Sequence, residues 1–313
     1  LNNQQPVKGR PVIFGEVLFD RFPDGTEVLG GAPFNVAWHL QGFRCAPLFV
    51  SRIGADEPGQ RVQQAMQTWG LDTAGVQIDP KHPTGLVEIS FAGKLHSFDI
   101  LPDRAYDHID AGLSQEAIQR AKPALLYHGT LIIRTPKVRQ VLDRLLAPHA
   151  VSVFVDVNLR DPWWQEEDLP RFMERARWVK VNDEELKIIA NRLGLRTTDL
   201  KETAQRLQAA YRLDTLIVTL GEHGAMALDP SQEPVRVEPE QDAEIIDTVG
   251  AGDAFSSVVL LGFLEEWPLL RTLQRAQAFA SLICRQRGAT RQEVNMYQTL
   301  MNAWSNSDDE ENR

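Results

Sequence analysis

The chain has 313 residues, 43% hydrophobic and 24% charged, enough to bury a substantial core as one large domain or two smaller ones. Its net charge of −10 argues against a nucleic-acid partner held through phosphate contacts. No apolar run reaches the length of a membrane span, and two cysteines, Cys45 and Cys284, are too few for a disulfide framework.

The opening LNNQQPVKGR lacks the apolar core of a secretory signal, so a cytoplasmic setting with two buried free thiols is expected. PVIFGEV (11–17) predicts the first buried strand, and DGTEVLGG (24–31) can supply another. A helix is predicted over Phe34–Leu40, then a strand in PLFVSRIG (47–54) and a helix over Gln60–Trp69. TGLVEISFAGKLHSFDIL (84–101) breaks the rhythm as two alternating strands around Ala92-Gly93, a hairpin. Its alternation puts Leu86, Glu88 and Ser90 on one face and Val87, Ile89 and Phe91 on the other. That apolar face must be covered by the body of the subunit or by a partner, so a homodimer through this piece is an expectation.

Strand and helix then alternate again. Strands are predicted in ALLYHG (124–129), VSVFVDV (151–157), WVKVN (178–182) and TLIVTLG (215–221). The helices between them are Ser114–Arg120, Thr135–Leu146, Asp183–Leu193 and Asp199–Tyr211. The last third turns helical, over Gly252–Leu264, Leu269–Gln286 and Gln292–Trp304, before an acidic tail (305–313) expected to be unstructured. This order predicts a single α/β domain: a doubly wound, mostly parallel sheet flanked by helices, with a small inserted β-sheet lid from about 22–30 and 84–101. Ligands then gather at the carboxyl ends of the strands. The seven histidines, at 39, 82, 96, 108, 128, 149 and 223, form no i,i+4 pair, and a dedicated zinc site is not expected.

The chemistry concentrates in DTVGAGDAFSSVVLLGFL (247–264). A G-x-x-x-x-G-K-[ST] loop is absent, and Phe255 stands where a dinucleotide fingerprint needs its third glycine. Gly250-Ala251-Gly252 at a helix start would aim bare amides at an anion. Asp253 beside them would repel that anion unless it takes a proton from an attacking hydroxyl, which is the arrangement phosphoryl transfer needs. An acid in the first turn also complements the helix dipole, by about 0.3–1 kcal/mol; the glycine pair before it and the apolar helix after it favour the catalytic role.

D-T-V-G-A-G-D-A-F resembles the C-terminal signature of the ribokinase-like, PfkB-type carbohydrate kinases. GGAPFNVAWHL (30–40) resembles that family's N-terminal signature, G-G-x-x-x-N-x-A, and the resemblance spans about Val12 to Met301. It implies Asp253 as catalytic base, with Gly250, Ala251 and Gly252 as the anion hole. It also implies that Asp20, Gly31 and Asn35 hold sugar hydroxyls, although Asn35 could otherwise be a helix-start residue. VNDEE (181–185) matches the family's N-x-x-E at Asn182 and Glu185, where the resemblance puts water-bound Mg²⁺ near the phosphates of ATP; alone it reads as a helix cap. In TLGEHGA (219–225), Thr219, Gly221 and Gly224 would meet ATP, or simply form a tight turn. Asp247 and Val249, closed over by RQRGAT (285–290), are implied for a monovalent cation such as K⁺.

DVNLRDPWW (156–164) resembles the D-P-N-L-R-x-x-x-W stretch of bacterial fructokinases, with Val157 in place of proline, and sets Arg160 near a phosphate. The family therefore implies a sugar kinase using ATP and Mg²⁺, with fructose as first choice of substrate and no nucleic-acid or membrane partner. Ribokinase, 2-keto-3-deoxygluconate kinase and a non-catalytic sugar-sensing relative stay open.

Overall fold

The computed structural model describes residues 9–92, 95–147, 151–239 and 245–311. The first stretch lays down β1 (Arg10–Phe14), β2 (Leu18–Arg21), β3 (Glu27–Gly30), α1 (Ala32–Gly42), β4 (Leu48–Gly54), α2 (Glu57–Trp69) and β5 (Val76–Asp79). A hairpin of β6 (Gly85–Ala92) and β7 (Leu95–Ile100) follows, then α3 (Ala111–Ala121), β8 (Pro123–Gly129) and α4 (Pro136–Leu146). Next come β9 (Ser152–Asp156), α5 (Leu169–Glu174), β10 (Trp178–Asn182), α6 (Asp183–Arg192) and α7 (Leu200–Tyr211). The chain closes with β11 (Thr215–Thr219), β12 (Ala225–Leu228), β13 (Val235–Val237), α8 (Ala251–Leu264), α9 (Leu269–Cys284) and α10 (Val294–Glu311).

The central sheet runs β13-β12-β11-β10-β9-β8-β1-β4-β5, parallel except for the antiparallel β12 and β13 at one edge. Its strands read as continuous apolar runs because both faces are covered. On β1, Val12 and Phe14 enter one core cluster and Ile13 the other, so successive side chains serve opposite layers. The doubly wound α/β architecture expected from the alternation is present.

Several boundaries differ from the sequence expectations. The strand predicted over 11–17 divides at Gly15, where a Cβ would stand 2.1 Å from Pro33 Cβ; the chain turns there over the start of α1 and leaves for a second sheet as β2. β5, β12 and β13 are three or four residues long, too short for a periodicity to declare them. The strand predicted to Gly221 ends at Thr219. α10 runs past Trp304 to Glu311 where an unstructured tail was expected, since each added residue of a packed helix gains a hydrogen bond. Cys45 and Cys284 are free but half-buried, not buried. Among the described residues no helix is long and apolar enough to cross a membrane.

The second sheet, β3-β2-β6-β7, is the expected inserted piece, with β2 added from the divided first strand. Gly93 in the anticipated turn lies outside the described residues, as does the Phe91 side chain. Val87 and Ile89 bury against Leu18, Ile100 and Leu131, with Phe22 and Trp163 packed at the edge. The subunit itself thus covers Val87 and Ile89, and the burial of these two residues needs no partner.

Candidate active site

A cleft of roughly 490 Å³ opens along the carboxyl ends of four neighbouring strands, at Gly129, Asp156, Asn182 and Thr219, and beneath the second sheet. Two helix starts close it. Gly31 begins α1 at φ 109°, and a Cβ there would lie 2.8 Å from the Glu16 carbonyl, so only glycine lets the chain pass. Gly250 begins α8 at φ 80°, with Ala289 Cβ 2.3 Å from where its own Cβ would be. Asn35, in the first turn of α1 but not at its cap, donates from Nδ2 to Asp253 Oδ2 at 2.8 Å across 218 residues of sequence. Its Oδ1 is buried without a partner.

The anion turn is narrower than expected. The Ala251 amide is already bonded to the Thr248 carbonyl at 3.2 Å, and Ala251 does not line the cleft. The amides of Gly252 and Asp253 have no backbone acceptor among the described residues, so the orphan donors of the helix start are these two. Lys180 Nζ stands 3.7 Å from the Cβ position of Gly252 and adds a full positive charge.

Burial dominates the electrostatics. It pushes Asp253 up to about 7 against the hydrogen bond from Asn35; Asp156 raises it further, while Lys180 and Arg160 pull it down. Asp20, on β2, is raised to about 6 by burial with Arg160 opposing. Glu16 is raised to about 7 by burial, and its Oε2 has no partner. Asp156 is fully engaged: Oδ1 accepts from Lys180 Nζ at 2.7 Å, and Oδ2 from Ser256 Oγ at 2.6 Å and Tyr127 hydroxyl at 3.2 Å. Burial would discharge Lys180, but Asp156, Glu185 and Asp253 together outweigh it and raise the ammonium above its ordinary range.

At the other end Asn182 caps α6. Its Oδ1 accepts from the Glu185 amide at 2.7 Å, and Glu185 Oε2 accepts from the Asn182 amide at 2.9 Å, a capping box. Glu185 Oε1 takes the Leu159 amide at 3.0 Å, and burial raises this carboxyl above its ordinary range. Thr219 lines the cleft, its hydroxyl 3.4 Å from the Val181 carbonyl, but Gly221 and Gly224 lie outside the lining. They close the turn from β11 to β12, where a Cβ on Gly224 would sit 2.0 Å from the Val237 carbonyl. Arg160 lines the cleft from an exposed position. Val249 lines it too, while Asp247 stands behind, binding the Val249 amide and the Gly288 amide, each at 3.0 Å, and so pinning the 285–290 loop.

Residues 8–295 match the pfkB family carbohydrate kinase profile. The chain belongs to the PfkB family of carbohydrate kinases. It is 28% identical over 283 residues to an uncharacterized sugar kinase of Pyrococcus horikoshii, covering 87% of this chain and 84% of that one. It is 23% identical over 281 residues to a 5-dehydro-2-deoxygluconokinase of Geobacillus thermodenitrificans, covering 82% and 79%. The structure of a fructokinase from Xylella fastidiosa with bound ATP superposes with a TM-score of 0.80 at 22% identity, over 95% of this chain and 99% of that one.

The cleft of this PfkB kinase is also lined by charged residues that the motif reading did not single out: Glu16, Asp156 and Lys180. A signal existed for each. They are charges set in otherwise apolar strand-like runs, PVIFGEV, VSVFVDV and WVKVN, where a buried charge demands a partner or a ligand.

Proposed function

We propose that this kinase transfers the γ-phosphoryl group of ATP to a hydroxyl of fructose. Asp253 takes the hydroxyl proton as the sugar oxygen bonds to phosphorus, the bond to ADP breaks, and the Gly252 and Asp253 amides with Lys180 meet the charge that develops. The observation that carries this reading is the Asn35–Asp253 contact. It sets an unpartnered amide oxygen and a carboxyl that ionises near neutrality at one place beside two free amides. Asp20, Glu16 and Asn35 offer acceptors and donors for sugar hydroxyls.

Glu185 fits a water-mediated hold on Mg²⁺, since each oxygen accepts one amide and keeps a lone pair free. When bound, the ion would neutralise phosphate charge. Asp247, by pinning the 285–290 loop near Val249, supports a K⁺ site in backbone carbonyls there. Two free thiols fit a cytoplasmic setting.

A second reading takes a keto-deoxy sugar acid as acceptor. Arg160 favours it, because its charge is felt at Asp20, Glu16 and Asp253, and a guanidinium fork suits a carboxylate as well as a phosphate. The test is ADP release across fructose, ribose, 2-keto-3-deoxygluconate and adenosine. Fructose should give the highest kcat/KM and adenosine none. A tenfold advantage for ribose or the sugar acid would overturn the choice of fructose and leave the kinase standing. Sugar binding without ADP release from any substrate would instead mark a sensor.

A further inference from the structure

Outside the cleft, His82, Asp103 and His108 bring their ligand atoms within 4.8 Å of one another, although 26 positions of sequence separate the two histidines. His82 lies in the 80–84 segment that leads from β5 into β6. Asp103 and His108 lie in the 101–108 segment that follows β7. These are the two legs on which the hairpin of the second sheet stands. They are already joined by the Ala105 amide to the Pro83 carbonyl at 2.8 Å.

The cluster has the build of a ligand set. Asp79, itself 2% exposed, accepts from His82 Nδ1 at 2.9 Å, which puts the proton on Nδ1 and leaves the Nε2 lone pair free. A carboxylate behind a histidine in this way is the outer shell that orients metal-binding imidazoles. Asp79 is held in turn by Arg52 Nε at 3.0 Å and by the Lys81 and His82 amides. Both Nε2 atoms face one oxygen, Asp103 Oδ1, at 3.8 Å from His82 and 2.7 Å from His108. The rings stack with centroids 3.4 Å apart and planes within 10° of parallel, so one ring tilts for both in-plane Nε2 lone pairs to meet at one ion. Each side chain keeps access to water, at 25% and 22% exposure.

We infer that His82, Asp103 and His108 bind a divalent transition ion, Zn²⁺ by donor chemistry, which clips the two legs of the lid together. Imidazole and carboxylate donors suit Zn²⁺, whereas Mg²⁺ prefers oxygen alone. Ligands about 2.1 Å from a tetrahedral ion stand about 3.4 Å apart, so the widest separation closes by about 1.4 Å through side-chain rotation, with water as fourth ligand. Lys137 Nζ donates to His108 Nδ1 at 3.3 Å and His108 Nε2 donates to Asp103 Oδ1 at 2.7 Å, so metal binding requires the His108 proton to move from Nε2 to Nδ1 as the exposed Lys137 side chain turns into solvent. Arg52, Arg104 and Lys137 oppose the ion, and Asp79 and Asp103 attract it. Val87, Phe98 and Ile100 of the hairpin line the cleft, so bracing the legs steadies one wall of the site.

The test titrates ZnCl₂ into chelator-treated protein by calorimetry, with Mg²⁺ in large excess to saturate any nucleotide-linked site. One ion per chain should bind and raise Tm. His82→Ala and His108→Gln should each weaken binding at least about tenfold and abolish the Tm rise, while Lys137→Ala should not weaken it. Kinase turnover of the three variants with Mg²⁺ present and Zn²⁺ withheld should match that of the native chain, reporting that they fold. Absence of a bound ion in the native chain, or equal binding by either histidine variant, overturns the site.

Discussion

Where α1 meets α8, polar atoms are buried and left open: Asn35 Oδ1 and Glu16 Oε2 lack partners, and Glu16 and Asp253 hold their protons to about 7. Where β10 meets β11, the polar groups satisfy one another: Asn182 and Glu185 share a capping box, and Gly221 and Gly224 close a turn. A buried polar atom without a partner costs about 1–3 kcal/mol, and the fold retains two at one end of a single cleft. The first end leaves polar atoms open at a cost in stability, as the proposed sugar site would need; the second is built as scaffold, and any ligand role is added to groups already in use.

The sharpest way to break this contrast is Asp253→Asn. It keeps the shape and the Asn35 neighbourhood but removes the base, so kcat should fall by about 10²–10⁴, with ATP affinity from equilibrium binding little changed. Turnover within a few-fold of the native chain would reduce Asp253 to a dipole partner of α8.

The same carboxyl sharpens the contrast through pH. Asp253 must be ionised to accept a proton, so kcat/KM should climb as pH rises and level off above about 7. Stability should move the other way. A carboxyl raised from 3.8 to about 7 binds its proton more tightly folded than unfolded, so its contribution is full below about pH 4 and is lost as pH rises through 7. Asp253→Asn should therefore be more stable than the native chain at pH 8, by on the order of 1 kcal/mol or more in denaturant titration. Equal stability of the two proteins at pH 8 would deny that the site is strained.

At the scaffold end the expected effect on rate is smaller. Glu185→Gln can keep the capping box through its one carbonyl oxygen, but its amide nitrogen cannot accept from Leu159, so stability should fall by about 1–3 kcal/mol. The Mg²⁺ concentration for half-maximal rate should rise several-fold, while fructose affinity without nucleotide stays put. An unchanged Mg²⁺ profile would leave Glu185 as a cap alone.

Local chemistry made much of this protein readable from its residues. The apolar runs of β1, β9 and β11 declare buried parallel strands, and the Gly250–Gly252 stretch before an apolar run declares the start of α8, because both signals are carried by neighbours in sequence. The same holds for N-x-x-E, whose capping box forms within four residues. What the sequence left undecided depends on partners far along the chain. Asn35 could have been a helix-start residue until the fold set it against Asp253, 218 residues away. Glu16 lay hidden inside one predicted strand that tertiary packing divides at Gly15. What Val87 and Ile89 of the hairpin pack against was decided by Leu18, Leu131 and Trp163, none of them near the hairpin in sequence. His82 and His108 looked unrelated because helical spacing was the only proximity a sequence shows, and it took the two legs of an inserted sheet to stack them. Periodicity reports which face of an element is buried; only the packed chain decides what that face meets.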